Sequence, residues 1–199
     1  LPAGYTVNIP ELNVVDNFLV LPAILDTDLI IVGTTATEIR AGGVTQVRGR
    51  VAVSDNHLVQ NIDLGSLEDV DGDMEVSGNN LSQNTDMDSL VRVRGDLGVT
   101  GNNLQQNVDL PSLSDVGGDL NVTGNILAQN IELPQLQNVG GSVSIFNNAP
   151  CTNVTLGLLA TVLGNVTIQS CGTGTFTPGP FAAGGNAKMS TKGYTVGNG

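Results

Sequence analysis

The chain has no tryptophan, only four Phe and two Tyr, one histidine, two cysteines and seven basic residues in 199. Each scarcity removes a class of function. Seven Lys and Arg against nineteen Asp and Glu give a net charge of −12, which argues against nucleic acid, since that binding rests on neutralising phosphates. The same sign disfavours anionic membrane surfaces, and no apolar run approaches the roughly 18 residues needed for membrane insertion. The lone histidine, His57, has no Cys/His metal spacing around it, and there is no G-x-S-x-G and no phosphate-cradling glycine loop. No catalytic constellation is legible, and without Trp there is no broad stacking platform for a sugar.

What the chain has instead is a period. Gly49, Gly72, Gly95, Gly118, Gly141 and Gly164 are spaced by 23 residues without an insertion. Self-similarity at such a length marks stacked supersecondary units, none able to bury its apolar face alone. Counting each coil from its glycine, position 3 holds Val51, Met74, Leu97, Leu120, Val143 and Val166, and position 5 holds Val53, Val76, Val99, Val122, Ile145 and Ile168. Polar neighbours at 2, 4 and 6 complete the alternation of a strand with one buried face. A second apolar set recurs at positions 16, 19 and 22, as in Leu110, Leu113 and Val116, a spacing of three that suits a chain turning corners. Nothing sustains helical periodicity over three turns. The expected fold is all-β, a parallel β-solenoid of 23-residue coils. Its coils stack about 4.8 Å apart, so seven of them from Asp26 onward make a rod about 34 Å long.

The expected organisation is an N-terminal cap or partial coil over 1–25, a repeat solenoid over 26–171 and a Gly/Thr/Pro-rich C-terminal arm over 172–199. The first segment keeps apolar character but loses the register, as a cap over open strand edges does. The last loses the pattern altogether. Strand edges at both ends of a parallel stack make self-association, end to end or through the arm, the expected partner contact.

Two amide columns are as regular as the core: Asn56, Asn79, Asn102, Asn125 and Asn148 at position 8, and Asn61, Asn84, Asn107, Asn130 and Asn153 at position 13. An amide both donates and accepts, so stacked copies can bond to one another and to corner backbone that has no sheet partner. Their strict recurrence gives them a structural role.

The form L-x-x-V-G-G-x-L-x-V-x-x-N, best seen in LPSLSDVGGDLNVTGN and LPQLQNVGGSVSIFNN, resembles the receptor L-domain group of leucine-rich solenoids, which includes fungal cell-wall glycoproteins. The resemblance covers about residues 49 to 171. It implies a right-handed β-solenoid displayed outside the cell as a scaffold, with no family active site to carry over.

Cys151 and Cys171 lie about one coil apart. A disulfide between them closes a loop of about 20 residues and stabilises by about 3 kcal/mol in the chain-entropy model; two free thiols are the alternative. Sequons occur at Asn80, Asn121, Asn153 and Asn165. Asn121 and Asn165 fall on outward strand positions and, with Asn80, are candidate glycosylation sites, whereas Asn153 belongs to an inner column. Acidic columns run at position 15 (Asp63, Asp86, Asp109, Glu132) and position 2 (Asp73, Asp96, Asp119). Stacked like charges 4.8 Å apart repel by about 0.9 kcal/mol per pair even in water, which invites a cation. The densest run is Asp69, Asp71, Asp73 and Glu75, and calcium is the ion that such oxygens suit; a solvated face is the other reading.

These observations together lead us to expect an extracellular or cell-surface structural or adhesive protein, not an enzyme, whose partner is a protein or another copy of itself. A capped ligand-recognition module of a surface receptor or cell-wall glycoprotein is the alternative. A carbohydrate-active enzyme would need carboxylates converging on one cleft, and an ice-binding face would need two ranked Thr columns where position 6 supplies one, Ser54, Ser77, Thr100 and Thr123.

Overall fold

The computed structural model describes residues 7–8, 17–18, 21–33, 39–58, 61–81, 85–104, 108–127, 130–149, 153–169, 176–178, 182–191 and 194–196. Among them there are strands and turns but no helix. The strands Leu29–Val32, Val51–Ser54, Met74–Ser77, Leu97–Thr100, Leu120–Thr123, Val143–Phe146 and Val166–Gln169 pair in parallel, each with the next, inside a ten-stranded sheet. One eight-stranded and three four-stranded sheets form the other sides. The chain is a parallel β-solenoid, all-β, with coils of about 23 residues.

The pairing step is 23 residues from Val51 through Met74, Leu97, Leu120 and Val143 to Val166. It shortens to 22 toward the N-terminus, where Asp28 meets Arg50, and to 21 where Asn165 meets Asn186. These shorter steps explain why the repeat fades from the sequence while the stacking continues. Val7–Asn8 lies on Leu29–Ile30 and Asn17–Phe18 on Ile39–Arg40, so the first segment contributes a partial coil.

The C-terminal segment departs from the expected arm. Phe176–Pro178 pairs with Val154–Leu156, Ala182–Ala183 with Thr161–Val162, and Ala187–Thr191 begins on Val166, all in parallel. This is one more coil. Sheet pairing is a main-chain interaction and needs no apolar alternation, so a Gly- and Ala-rich stretch continues the stack. Tyr194–Val196 then turns back to pair antiparallel with Met189–Thr191.

The local causes repeat in each coil. Positions 3 and 5 point inward and are buried. Position 7 then takes a left-handed backbone at Gly33, Gly78, Gly101 and Gly124, and also at Asp55 and Asn147 with φ of 55°, residue types that tolerate it. That turn delivers the position 8 asparagine into the interior. Later in the coil the position 19 N–H donates to the position 16 carbonyl, as in Leu67 to Leu64 at 2.9 Å and Leu90 to Met87 at 3.0 Å, a β-turn that accounts for the spacing of three. The core contains one column that the sequence pattern did not single out, position 14, with Ile62, Val108, Ile131, Val154 and the lone hydroxyl of Thr85.

Candidate functional site

The position 8 asparagines form a continuous buried ladder. Asn102 Nδ2 donates to Val76 O at 2.8 Å and to Asn125 Oδ1 at 3.0 Å, and its Oδ1 accepts from Asn79 N and Asn79 Nδ2, both at 2.9 Å. The same set recurs at Asn79 and Asn125; Asn56 Nδ2 donates to Ile31 O and Asn79 Oδ1, and Asn148 Nδ2 closes the ladder on Val122 O. Position 13 behaves differently. Asn61, Asn130 and Asn153 are half-buried, with Asn153 Nδ2 donating to Asn130 Oδ1 at 3.2 Å and Asn130 Nδ2 to Glu132 Oε1 at 2.9 Å. Asn84 and Asn107 lie outside the described residues.

The position 2 acids are occupied by the fold. The Oδ1 of Asp73 accepts from Asp96 N at 2.9 Å, that of Asp96 from Asp119 N at 2.7 Å, and that of Asp119 from Ser142 N at 2.6 Å. Asp28, Ser142 and Asn165 cap Arg50, Asn165 and Asn186 in the same way. The candidate calcium run is therefore divided among separate partners. Asp69 Oδ1 lies 3.7 Å from Arg92 Nη1 and Asp71 Oδ1 lies 3.0 Å from Arg94 Nη1, although neither oxygen makes an aligned hydrogen bond. Asp73 caps the next coil, and Glu75 is exposed on the outer face of Met74–Ser77. Among the described residues no three His, Cys, Asp or Glu groups gather as a metal cluster.

Position 15 is where like charges meet. Burial, with Asp88 and Asp63 nearby, raises the carboxyl pKa of Asp86 above its ordinary 3.8; burial, with Glu132 and Asp88, does the same for Asp109. Asp115 shifts down, held ionised by hydrogen bonds from Ser114 and Asn138 and by the Arg92 charge. A raised value in the fold means that ionisation opposes folding, so the contribution of Asp86 and Asp109 is most favourable below 3.8 and is lost as pH rises through their folded values. Asp115 has the opposite sign: its contribution is present above 3.8 and lost as pH falls through its lowered value. Asp109→Asn is accordingly expected to melt higher than the unaltered protein at pH 7 and to match it at pH 3. Thermal unfolding by circular dichroism at the two pH values checks this, and a lower melting temperature at pH 7 contradicts it.

Of the candidate glycosylation sites, Asn80 and Asn165 are exposed, while Asn121 is half-buried on the long sheet between Gly98 and Ser144. Cys151 and Cys171 lie outside the described residues. His57 is exposed, with Nδ1 3.2 Å from Asp55 O.

The ten-stranded sheet has the most strands among the described residues. Its position 6 column, Ser54, Ser77, Thr100, Thr123 and Phe146, stacks in direct register. The neighbouring column at position 4 runs Ile30, Ala52, Glu75, Gly98, Asn121, Ser144 and Thr167 and changes character at each rung as far as Ser144, after which Thr167 repeats the hydroxyl. Charge is also unevenly distributed along the chain: no Lys or Arg precedes Arg40, and no Asp or Glu follows Glu132. The position 6 column is legible in the sequence, whereas the charge asymmetry does not stand out from the repeat, because it lies where the repeat imposes no rule. No family model matches the chain, and no curated protein or solved structure matches it.

Proposed function

We propose that this chain is an extracellular structural or adhesive β-solenoid of the receptor L-domain kind, without catalytic activity, and that the outer face of the ten-stranded sheet is its working surface. One observation carries this reading. The columns that hold the coils together are uniform from rung to rung, whereas position 4 of the long sheet varies from Ala52 through Glu75, Gly98 and Asn121 to Ser144 on the same regular frame, and only the last step, to Thr167, keeps its character. A surface free of packing duties is where recognition can be written. Exposed sequons at Asn80 and Asn165 and the cysteine pair one coil apart support an extracellular setting. The partner is a protein, either a second copy or another surface component.

A capped recognition module is the second reading. It is favoured by the antiparallel pairing of Tyr194–Val196 on Met189–Thr191, which reverses strand direction at that edge of the long sheet. Light scattering over a concentration series tests the two. The structural-subunit reading expects assemblies many times the 20.4 kDa chain, dispersed by Asn121→Lys on the long face. A monomer at every concentration overturns self-assembly and leaves the recognition module.

A further inference from the structure

We propose that a trough beside Arg94 binds a saccharide that carries a carboxylate. The reasoning begins with position 23 of the coil, which reads Asp26, Arg48, Asp71, Arg94, Gly117 and Gly140. Its sign alternates at each of the first three steps. Arg48 pairs back with Asp26, and Arg94 Nη1 lies 3.0 Å from Asp71 Oδ1. After Arg94 the alternation calls for an anion, and the chain supplies two glycines.

No side chain can fill that gap. A Cβ on Gly117 would stand 2.1 Å from Arg94 O, and one on Gly140 would stand 2.1 Å from Gly117 O. The close backbone approach thus leaves a trough of about 460 Å³ walled by Arg92, Arg94, Asp115 and Asn138 and floored by Gly117 and Gly140, a volume within the about 300–1,000 Å³ usual for small-molecule sites. The guanidinium side chains of Arg92 and Arg94 are 44% and 53% exposed. Each therefore has solvent-facing surface to offer a ligand while paired with Asp69 or Asp71.

A ligand carboxylate over Gly117 would occupy the missing rung and meet the Arg94 guanidinium in the planar, two-pronged geometry that such pairs favour. Hydroxyl groups on the same ligand would face the Asn138 amide, which already donates to Asp115 Oδ1 at 2.8 Å and keeps further hydrogen-bonding capacity. A peptide fits less well. The strand Asp115–Val116 under the trough is already paired on both sides, with Arg92–Val93 and Asn138–Val139, so no free edge accepts an added strand. The chain's net charge of −12 opposes an anion at long range, but screening within about 8 Å at physiological salt leaves the lining to decide the contact, where Arg92 and Arg94 outnumber the one carboxylate, Asp115.

Calorimetric titration with digalacturonate, its neutral counterpart digalactose and triglutamate tests the site. The expected result is saturable binding of digalacturonate alone, weakened at least about tenfold by Arg94→Gln, the loss of one charge-assisted contact. Arg48→Gln should leave binding unchanged, because Asp71 already fills the rung after Arg48; it also controls for removing an exposed ion pair. Absence of binding, equal binding of digalactose, equal binding of triglutamate, or binding that survives Arg94→Gln would each overturn the proposal. None of these results bears on the long-sheet face.

Discussion

Asn102→Ala is expected to lower the unfolding free energy by about 3–6 kcal/mol. The side chain is 1% exposed. Truncation leaves Asn79 N–H and one Asn79 amide proton without their acceptor and takes a donor from Val76 O. Each buried polar group so stranded costs about 1–3 kcal/mol, and a domain has only about 5–15 kcal/mol in total. Because every rung both donates and accepts, the loss falls on Asn79 and Asn125 together. Asn102→Asp isolates the donor half of the argument. The carboxylate can still accept from Asn79, but it faces Val76 O and Asn125 Oδ1, both acceptors. Burial, with two acceptors facing the carboxylate, outweighs the bonds from Asn79 and raises the folded pKa of the new acid above the unfolded value of about 3.9. Its deficit relative to the unaltered chain should therefore be smallest below pH 4 and grow as pH rises through the folded value. Urea unfolding at pH 4 and pH 7 measures both effects; an Asn102→Ala loss under 1 kcal/mol would show that the ladder is incidental to stability.

The period, the inward columns and the structural character of the asparagines were legible in the sequence because each repeats one physical demand per coil. Val51 to Val166 and Val53 to Ile168 alternate with polar neighbours, and parallel strands read that way when one face is buried. The position 14 column was not singled out because Thr85 interrupts its apolar identity, although its other members alternate with the Asn at 13, the residue at 15 and the apolar position 16. Position 7 was hidden because what unites Gly78, Gly101, Asp55 and Asn147 is a backbone angle and not a side-chain property. The position 2 and position 15 acids look alike in sequence yet differ in fate. Asp73, Asp96 and Asp119 cap the next coil, whereas Asp86 and Asp109 crowd other carboxylates. The distinguishing signal was present in the glycine immediately before each capping acid. The trough at Arg94 was legible only in part: the sign alternation is in the sequence, but that Gly117 and Gly140 leave open space follows from how closely the backbones approach.

Gly118→Ala tests that glycine signal and is expected to cost about 3 kcal/mol or more. A Cβ at Gly118 would stand 2.0 Å from Asp96 Oδ1 and 3.0 Å from Asp96 N and Gly95 C. The carboxylate must leave, and with it goes the 2.7 Å bond from Asp119 N, a charge-assisted contact of about 1.5–3 kcal/mol. The backbone cannot retreat freely, because Gly118 N donates to Gly95 O at 2.9 Å while Gly118 O accepts from Gly141 N at 2.8 Å. Two substitutions separate this cause from a generic intolerance of the fold. Gly98→Ala, where the nearest neighbour of a Cβ is Glu75 Cγ at 4.0 Å, should be neutral or stabilising by up to about 1 kcal/mol, since glycine weakens a strand interior. Asp96→Ala already forfeits the cap, so adding Gly118→Ala to it should cost less than the sum of the single changes, the signature of two residues sharing one contact. Strict additivity in that cycle, measured by urea unfolding, would mean that the glycine column serves backbone stacking alone and that the Asp column stands beside it by coincidence.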